Sequence, residues 1–257
     1  MSGRGRTGRV SLVGAGPGDP ELLTFAAHRA LVEADLVVAD RLIPPAILAL
    51  VSGDLYVAPK QPGCADEAQE EIERRVIDAA RSGLDVVRLK AGDPAIFGRT
   101  GEELAVFARA GLTTRVIPGI SSVTAASAAA QIPLTLRGVA DRVTVITGHG
   151  AAGRHAALPR FDPDVTLVLL MAVARAGEIA TGLVTRGWPR TTPVAIIERA
   201  SQPDERVTRT PLGSLGTAVV REQVRSPAVI VVGAVAAFSV ASTAILPRSP
   251  RVLSGVA

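Results

Sequence analysis

The sequence is poor in several residue types, and each shortage narrows what the protein can do. A single cysteine, Cys64, excludes an intrachain disulfide and suits a reducing compartment, so we expect a cytoplasmic protein. The three histidines, His28, His149 and His155, show no metal-ligand spacing, and we expect no metal site. Aromatic residues make up only 3% of the chain, which gives little support for base stacking on nucleic acid.

Long apolar segments are also missing. The most apolar run, AVIVVGAVAAF at 228–238, is too short to cross a bilayer and is typical of a buried strand. No apolar h-region lies between the basic residues near the N-terminus and the first predicted strand, so we expect no signal peptide. The sequence contains no P-loop, kinase or nucleophile-elbow motif. We therefore expect no membrane partner and none of those chemistries.

Lysine is scarce, and the basic charge comes almost entirely from arginine. Of 28 basic residues only Lys60 and Lys90 are lysine, and the formal net charge is +4. Arginine binds carboxylates and phosphates through its planar fork, so this composition suits an anionic partner. A general compositional bias explains the same excess. Because no dense basic run occurs, we expect no nucleic-acid partner.

The most informative segment that is present is RVSLVGAGPGD at 9–19. The β-branched run predicts a buried parallel strand, and GAGPGD predicts a tight loop before a helix with Asp19 as its N-cap. Its three glycines resemble a dinucleotide-binding fingerprint, but Asp19 would repel a phosphate and Pro17 lacks an N–H donor. The loop is therefore either a structural turn or a close approach to a small cofactor without a phosphate.

Strand-like and helix-like segments alternate through the first half of the chain and predict an α/β domain with a mostly parallel sheet. The alternation pauses around 134–142, after which strands are denser and predict a mixed sheet. We therefore predict a flexible N-terminus at 1–8, an N-terminal α/β domain at 9–137, a C-terminal α/β domain at 138–240 and a flexible tail at 241–257.

Glycine-bearing loops follow several predicted strands, including GAGPGD, KAGDP, PGISS and TGHG. The carboxyl ends of parallel strands meet at one edge of a sheet, which is where α/β proteins bind ligands. Asp40 also ends a strand, where it is either a cap or ion-pair residue or a general acid–base group. Asp93 lies between Gly92 and Pro94, a pattern typical of a turn.

Taken together, the loops resemble one family. The motifs GAGPGDPELLT, RLKAGDPAIFGRTGEE, VIPGISS, IPLT, ITGH and SPAVIVVG occur in the order found in tetrapyrrole methylases. The set closely resembles the uroporphyrinogen-III C-methyltransferase branch of that family over about residues 9–236. The resemblance implies a two-domain α/β tetrapyrrole methylase fold. Its N-terminal sheet would be mostly parallel and its C-terminal sheet mixed, with the cofactor cleft between them.

The resemblance also implies a reaction. S-adenosylmethionine would donate methyl groups to two pyrrole carbons of uroporphyrinogen III, giving dihydrosirohydrochlorin (precorrin-2) for sirohaem and cobalamin biosynthesis. A homodimer is implied as well. Asp40 would accept a proton and Lys60 would donate one. The implied cofactor contacts are Pro17, Ala91, Gly92, Asp93, Ile96, Ser121, Ser122, Met171 and Ala200.

A substrate with eight carboxylates calls for arginines around its site. Arg41, Arg88, Arg99 and Arg137 are candidates by position only. The tetrapyrrole substrate and the homodimer partner are the only partners that we expect.

The sequence departs from the family pattern at a few positions. Gln61 and Leu136 stand where arginine and histidine are usual, which favours a sister methyltransferase acting on a later corrin-pathway intermediate or another acidic substrate. A non-catalytic module that binds anions or RNA is a further alternative. Alanine replaces a common glycine at residues 91, 172 and 200. Each alanine would cost roughly 1 kcal/mol if the backbone were left-handed there.

Overall fold

The computed structural model describes residues 7–59, 65–149 and 157–239, which form two five-stranded sheets. Residues up to Ala125, together with Arg199–Asp204, make a compact N-terminal unit. Ala126–Glu198 and the residues from Glu205 onward make a C-terminal unit. The domain boundary after residue 137 stays a prediction.

All strands of the N-terminal sheet are parallel, and their spatial order is β3-β2-β4-β1-β5. Two of the three inner strands, β1 and β4, are buried along their whole length, as expected of parallel strands covered on both faces. The strands are β1 (Val10–Gly14), β2 (Leu36–Ala39), β3 (Asp54–Val57), β4 (Val86–Lys90) and β5 (Thr114–Ile117).

Helices connect these strands and cover the sheet. The long helix α3 is amphipathic, and Ile72, Val76 and Ala80 form its buried stripe at four-residue spacing. These helices are α1 (Phe25–Glu33), α2 (Pro45–Leu48), α3 (Ala65–Arg81) and α4 (Thr100–Arg109). A fifth helix, α5 (Ser122–Ala129), follows the last strand and has residues in both units.

Two apolar clusters fill the N-terminal unit, one on each face of the sheet. Val13, Val87 and Leu89 belong to the cluster that includes residues of α1 and α2. Leu12 and Val86 belong to the cluster that includes residues of α3 and α4. Because side chains alternate along a strand, Arg88 and Lys90 share the α3–α4 face with Val86.

The C-terminal sheet is mixed, with the order β6-β7-β10-β8-β9. Only β6 and β7 pair in parallel; the other neighbours are antiparallel. The strands are β6 (Arg142–Thr147), β7 (Val165–Leu170), β8 (Pro193–Glu198), β9 (Arg206–Pro211) and β10 (Ala228–Val232). The predicted contrast between a parallel N-terminal sheet and a mixed C-terminal sheet is confirmed.

Helices α6 (Ala176–Thr185) and α7 (Leu215–Arg221) pack together in the C-terminal unit. Their apolar residues join those of β7, β8 and β10 around the buried Trp188 in one core. Across the described ranges, no helix is both long enough and apolar enough to span a membrane.

Candidate functional site

The loops after β1, β4 and β5 converge at the carboxyl edge of the N-terminal sheet. Gly16 and Gly92 pair as an isolated antiparallel bridge, with Gly92 N donating to Gly16 O at 2.8 Å. Both glycines have positive φ angles near 70°, which an L side chain rarely adopts. The bridge therefore depends on glycine at both positions and joins the first loop to the KAGDP loop.

The third loop joins this cluster through a close approach that excludes side chains. A Cβ on Gly14 would lie 2.6 Å from the amide nitrogen of Gly119. The Asp93 carboxylate completes the junction, accepting from Gly119 N at 3.0 Å and from Ala95 N at 2.8 Å. Asp93 is thus a turn residue whose Oδ1 stabilises its own loop and whose Oδ2 ties that loop to the loop after β5.

Most of the predicted cofactor residues lie on these loops. A Cβ on Gly92 would lie 3.6 Å from Ser122 N and 3.9 Å from the Cα of Ser121, so the Ala91-Gly92-Asp93 turn adjoins the two serines. Pro17 follows the bridged Gly16, and Ile96 is exposed after the turn. We refer to 14–19, 91–96 and 118–122 as the N-terminal loop cluster.

Ala200 is in the N-terminal unit as well, although it follows β8 in the chain. A Cβ on Gly18 would lie 3.1 Å from Gln202, which places the Arg199–Asp204 turn beside the first glycine loop. Ala200 itself is buried. The sequence order alone gave no sign of this return to the first unit.

The sequence predicted that the glycine loop leads directly into an α-helix, and the structure does not show this. Asp19 does act as a cap, accepting from Glu21 N at 2.9 Å, but the element it caps is a short 3₁₀ turn, Pro20–Leu22. Helix α1 begins later, where Thr24 Oγ1 accepts from Ala27 N at 3.1 Å. The prediction was wrong about the helix start because the backbone is extended at Leu23 and Thr24, which ends the 3₁₀ turn, and Thr24 then caps the α-helix.

Asp40 follows β2 at the same edge of the sheet and is paired with a buried arginine. Arg88 Nη2 donates to Asp40 Oδ1 at 2.5 Å. The Asp40 side chain is 33% exposed, whereas that of Arg88 is only 2% exposed. Backbone bonds also fix the residue, since Asp40 N donates to Leu89 O at 3.0 Å. Asp40 is therefore a partly exposed carboxylate on a rigid support.

Behind Arg88 lies a second buried carboxylate, Glu103, which the sequence did not identify as part of the site. Glu103 on α4 is fully buried and accepts from Arg88 Nε at 2.9 Å and from Lys90 Nζ at 2.6 Å. Gln69 on α3 donates to the same carboxylate at 2.9 Å. Charged residues at alternate positions of an otherwise apolar strand were the signal that could have located this cluster.

Burial and the neighbouring charges together set the pKa values of these groups. Burial lowers the pKa of Arg88, but the charges of Asp40 and Glu103 outweigh burial and hold that pKa above its ordinary value. Burial and the charge of Arg88 lower the pKa of Lys90. Burial raises the pKa of Glu103, but the charges of Arg88 and Lys90 outweigh it and keep that pKa below its ordinary value.

The four candidate arginines occupy different environments. Arg88 is buried inside the N-terminal unit, so the expectation that it meets substrate carboxylates directly is not supported. Arg41 and Arg99 are exposed in the same unit, and Arg99 pairs with Glu102 at 2.6 Å. Arg137 is exposed and belongs to the C-terminal unit. The other predicted acid–base residue, Lys60, lies outside the described residues, as do Gln61 and Cys64.

Met171 lies in the C-terminal unit, in a turn directly after β7. Its backbone is left-handed, with φ 54°, and its carbonyl lies 2.7 Å from His149 Nδ1. Arg175 Nη1 donates to Gly148 O at 2.9 Å, which fixes the neighbouring turn after β6. Met171 therefore lies on a turn that is held by hydrogen bonds, and its side chain is about half exposed.

The alanines that replace common glycines are not strained. Among the described residues with positive φ other than glycine there is no alanine, and Ala172 has φ −106°. The loops have therefore accepted alanine at 91, 172 and 200 without the left-handed penalty.

A separate surface cavity of about 540 Å³ lies in the C-terminal unit, between the end of β6 and α6. Its polar lining comes mainly from Thr147, Arg175, Glu178 and Arg186. Among the residues that the structure describes, the predicted catalytic, cofactor and substrate residues do not line this cavity.

Known proteins with similar sequences and structures agree on one family. The family model "Tetrapyrrole (Corrin/Porphyrin) Methylases" matches residues 9–216. A uroporphyrinogen-III C-methyltransferase from Pseudomonas aeruginosa is 44% identical over 231 residues, covering 89% of this chain and 94% of that protein. The uroporphyrinogen-III C-methyltransferase of Saccharomyces cerevisiae is 45% identical over 230 residues, but this chain spans only 39% of its length.

A solved structure gives the same result. Uroporphyrin-III C-methyl transferase from Thermus thermophilus, crystallised with S-adenyl homocysteine, superimposes with a TM-score of 0.78 at 42% identity. The match covers 89% of this chain and 98% of that one. With a family model spanning most of the chain, and with relatives well above 30% identity, the chain belongs to the tetrapyrrole (corrin/porphyrin) methylase family.

Proposed function

We propose that this chain is an S-adenosylmethionine-dependent C-methyltransferase acting on uroporphyrinogen III. It methylates two pyrrole carbons and yields dihydrosirohydrochlorin (precorrin-2), the precursor of sirohaem and cobalamin. The observation that carries the proposal is the 44% identity to the Pseudomonas aeruginosa enzyme, which extends over nearly the full length of both chains.

The N-terminal loop cluster suits this cofactor by its chemistry. S-adenosylmethionine carries no phosphate. The first loop disfavours a phosphate group, because the Asp19 carboxylate would repel it and Pro17 has no N–H to donate. Glycines at 16 and 92 keep side chains away from the loop junction. When bound, the cofactor supplies an electrophilic methyl group on its sulfonium. The residues proposed to hold it are Pro17, Ala91, Gly92, Asp93, Ile96, Ser121, Ser122, Met171 and Ala200.

The protein has two further tasks, to align the acceptor carbon and to remove its proton. Asp40 is the proposed proton acceptor, because its carboxylate is partly exposed and firmly supported. Lys60 is the proposed proton donor by family resemblance. The exposed residues Arg41, Arg99 and Arg137 are the candidates that meet the substrate's carboxylates.

A homodimer and a cytoplasmic location complete the proposal. Family resemblance supports the dimer, and the single cysteine suits a reducing compartment. Light scattering tests the first point: we expect a mass of about twice the 26.4 kDa of one chain, and a concentration-independent monomer would contradict it.

Activity is tested by incubating the purified protein anaerobically with S-adenosylmethionine and enzymatically made uroporphyrinogen III. We expect a product that oxidises to the sirohydrochlorin chromophore. A protein that binds S-adenosylhomocysteine but leaves uroporphyrinogen III unmethylated would contradict the substrate assignment and favour the sister methyltransferase. A protein that binds NAD more tightly than S-adenosylhomocysteine would contradict the cofactor assignment.

A further inference from the structure

The buried cluster behind Asp40 has a directional order. Gln69 and Lys90 bind Glu103, Glu103 binds Arg88, and Arg88 binds Asp40. The cluster contains two cations and two carboxylates, so its formal charges balance. Of these four charged side chains, only that of Asp40 is substantially exposed.

The Arg88 guanidinium is held from all sides. Its Nε donates to Glu103, and its Nη1 donates to the carbonyl of Leu89 at 3.0 Å and to that of Val38 at 3.4 Å. Val38 and Arg88 are also register partners on β2 and β4. The remaining nitrogen, Nη2, is therefore directed at Asp40 Oδ1 by bonds that do not involve Asp40.

This arrangement divides the two carboxylate oxygens of Asp40. Oδ1 is occupied by Arg88, and no hydrogen bond to Oδ2 occurs among the residues that the structure describes. A general base needs one carboxylate oxygen that can accept a proton and that stays in a fixed place. The bond from Arg88 to Oδ1 holds the carboxylate in place and leaves Oδ2 to accept the proton.

We propose that Arg88, fixed by Glu103, is a positioning residue that holds Asp40 for proton acceptance. Arg88 acts only through Asp40 and does not touch the reacting atoms. Lys90 balances the charge of Glu103, and its hydrogen bond goes to Glu103 rather than to Asp40. The inference rests on the proposed function, because it assigns a task to the carboxylate that the function needs.

A double-mutant cycle separates this role from a purely structural one. We expect Arg88→Gln to lower kcat about 10–100-fold, the cost of a misplaced catalytic group, with little change in KM for S-adenosylmethionine. In an Asp40→Asn background the same change should lower kcat no further, because the group that it positions is already lost. Equal losses in both backgrounds would overturn the proposal.

Lys90→Met is the matched control inside the cluster. It removes a buried partner of Glu103 and is expected to lower the melting temperature, but to lower kcat much less than Arg88→Gln does, because the hydrogen bonds from Arg88 to Glu103 and Asp40 remain. A loss of kcat as large as that of Arg88→Gln would show that any disturbance of the cluster suffices, and would contradict a specific role for Arg88. If Arg88→Gln does not fold, Arg88→Gln/Glu103→Gln removes one charge of each sign and enters the same cycle.

Two readouts keep this inference separate from the proposed function. If wild-type protein forms no methylated product, the function is wrong. If wild type and Arg88→Gln have equal kcat, the positioning role is wrong. A crystal structure of Arg88→Gln tests the geometry without substrate: we expect Asp40 to leave its present rotamer or occupy several. An unchanged Asp40 side chain would contradict the proposal.

Discussion

Each unit of the molecule contains a fully buried glutamate, and the two differ in what they support. Glu103 in the N-terminal unit is bound by the buried side chains of Arg88 and Lys90, and Arg88 also binds Asp40. Glu198 in the C-terminal unit accepts from Arg206, its register partner on β9, and from the backbone nitrogen of Arg225. The Arg206 side chain is 43% exposed.

The comparison teaches that burial alone does not identify a functional carboxylate. Both glutamates are satisfied by hydrogen bonds, as buried charges must be. Among the contacts described, Glu198 joins two strands and a loop, whereas Glu103 is linked through Arg88 to a partly exposed acid. We therefore assign Glu198 a structural role and Glu103 a role in supporting the site.

The largest effect on activity is expected at Asp40, the residue that Glu103 supports through Arg88. Asp40→Asn should lower kcat by about 10²–10⁴-fold, the usual contribution of a general acid–base group, and should keep S-adenosylhomocysteine binding by calorimetry. Asp35→Asn is a matched control, because Asp35 precedes the same strand and its carboxylate accepts from Asp85 N. Full activity of Asp40→Asn would reduce Asp40 to a structural anchor.

Replacing each buried glutamate in turn tests the comparison itself. Glu103→Gln should cost about 3–5 kcal/mol of stability, because it leaves a buried cation poorly compensated. Glu198→Gln should cost less, about 1–3 kcal/mol, since the freed Arg206 can reach water. Denaturant unfolding measures both values.

Activity then distinguishes the two glutamates. In the folded proteins, Glu103→Gln should lower kcat because Arg88 loses its support, and Glu198→Gln should keep the wild-type kcat. Equal effects of the two substitutions on kcat would mean that Glu103 is structural as well.

Acid should weaken the Glu103 ion pairs. Burial raises the pKa of Glu103, but the charges of Arg88 and Lys90 outweigh it, so that pKa lies below its ordinary value of 4.5. As the pH falls, Glu103 is therefore protonated in the unfolded chain before it is protonated in the folded protein. The stabilisation from its ion pairs is present above about pH 4.5 and is lost as the pH falls below that value. Urea midpoints should show a shallower acid dependence in Glu103→Gln than in wild type; parallel slopes would contradict this.

The smallest effect is expected at an exposed ion pair. Arg74 on α3 pairs with Glu71 and Asp78, and all three side chains are substantially exposed. Water screens such pairs, so Arg74→Ala should leave the melting temperature unchanged within error. A clear drop would show that surface charges matter more in this protein than the buried cluster suggests.

The sequence predicted much of this molecule because local patterns determine the strands and loops. Alternating strands and helices led to the parallel sheet, and the glycines at 14, 16 and 92 marked the loops that meet at its edge. Ile72, Val76 and Ala80, which are spaced at about the helical period, form the buried face of α3.

What the sequence did not predict depends on contacts between distant residues. Arg88, a position-based candidate for substrate binding, is buried because Glu103 and Asp40 come to it from α4 and the end of β2. Likewise, Ala200 belongs to the N-terminal unit only because the chain returns there after β8. The alternate charged positions of β4 were the one local sign of the first event, and no local pattern indicates the second.

Methyl transfer to uroporphyrinogen III is tested most directly with S-adenosylmethionine that carries a trideuterated methyl group. After anaerobic incubation with the purified protein, mass spectrometry of the tetrapyrrole should show the addition of two labelled methyl groups. The addition should depend on Asp40 and be nearly lost in Asp40→Asn. A tetrapyrrole that gains no label, with S-adenosylhomocysteine bound normally, would contradict the proposed function.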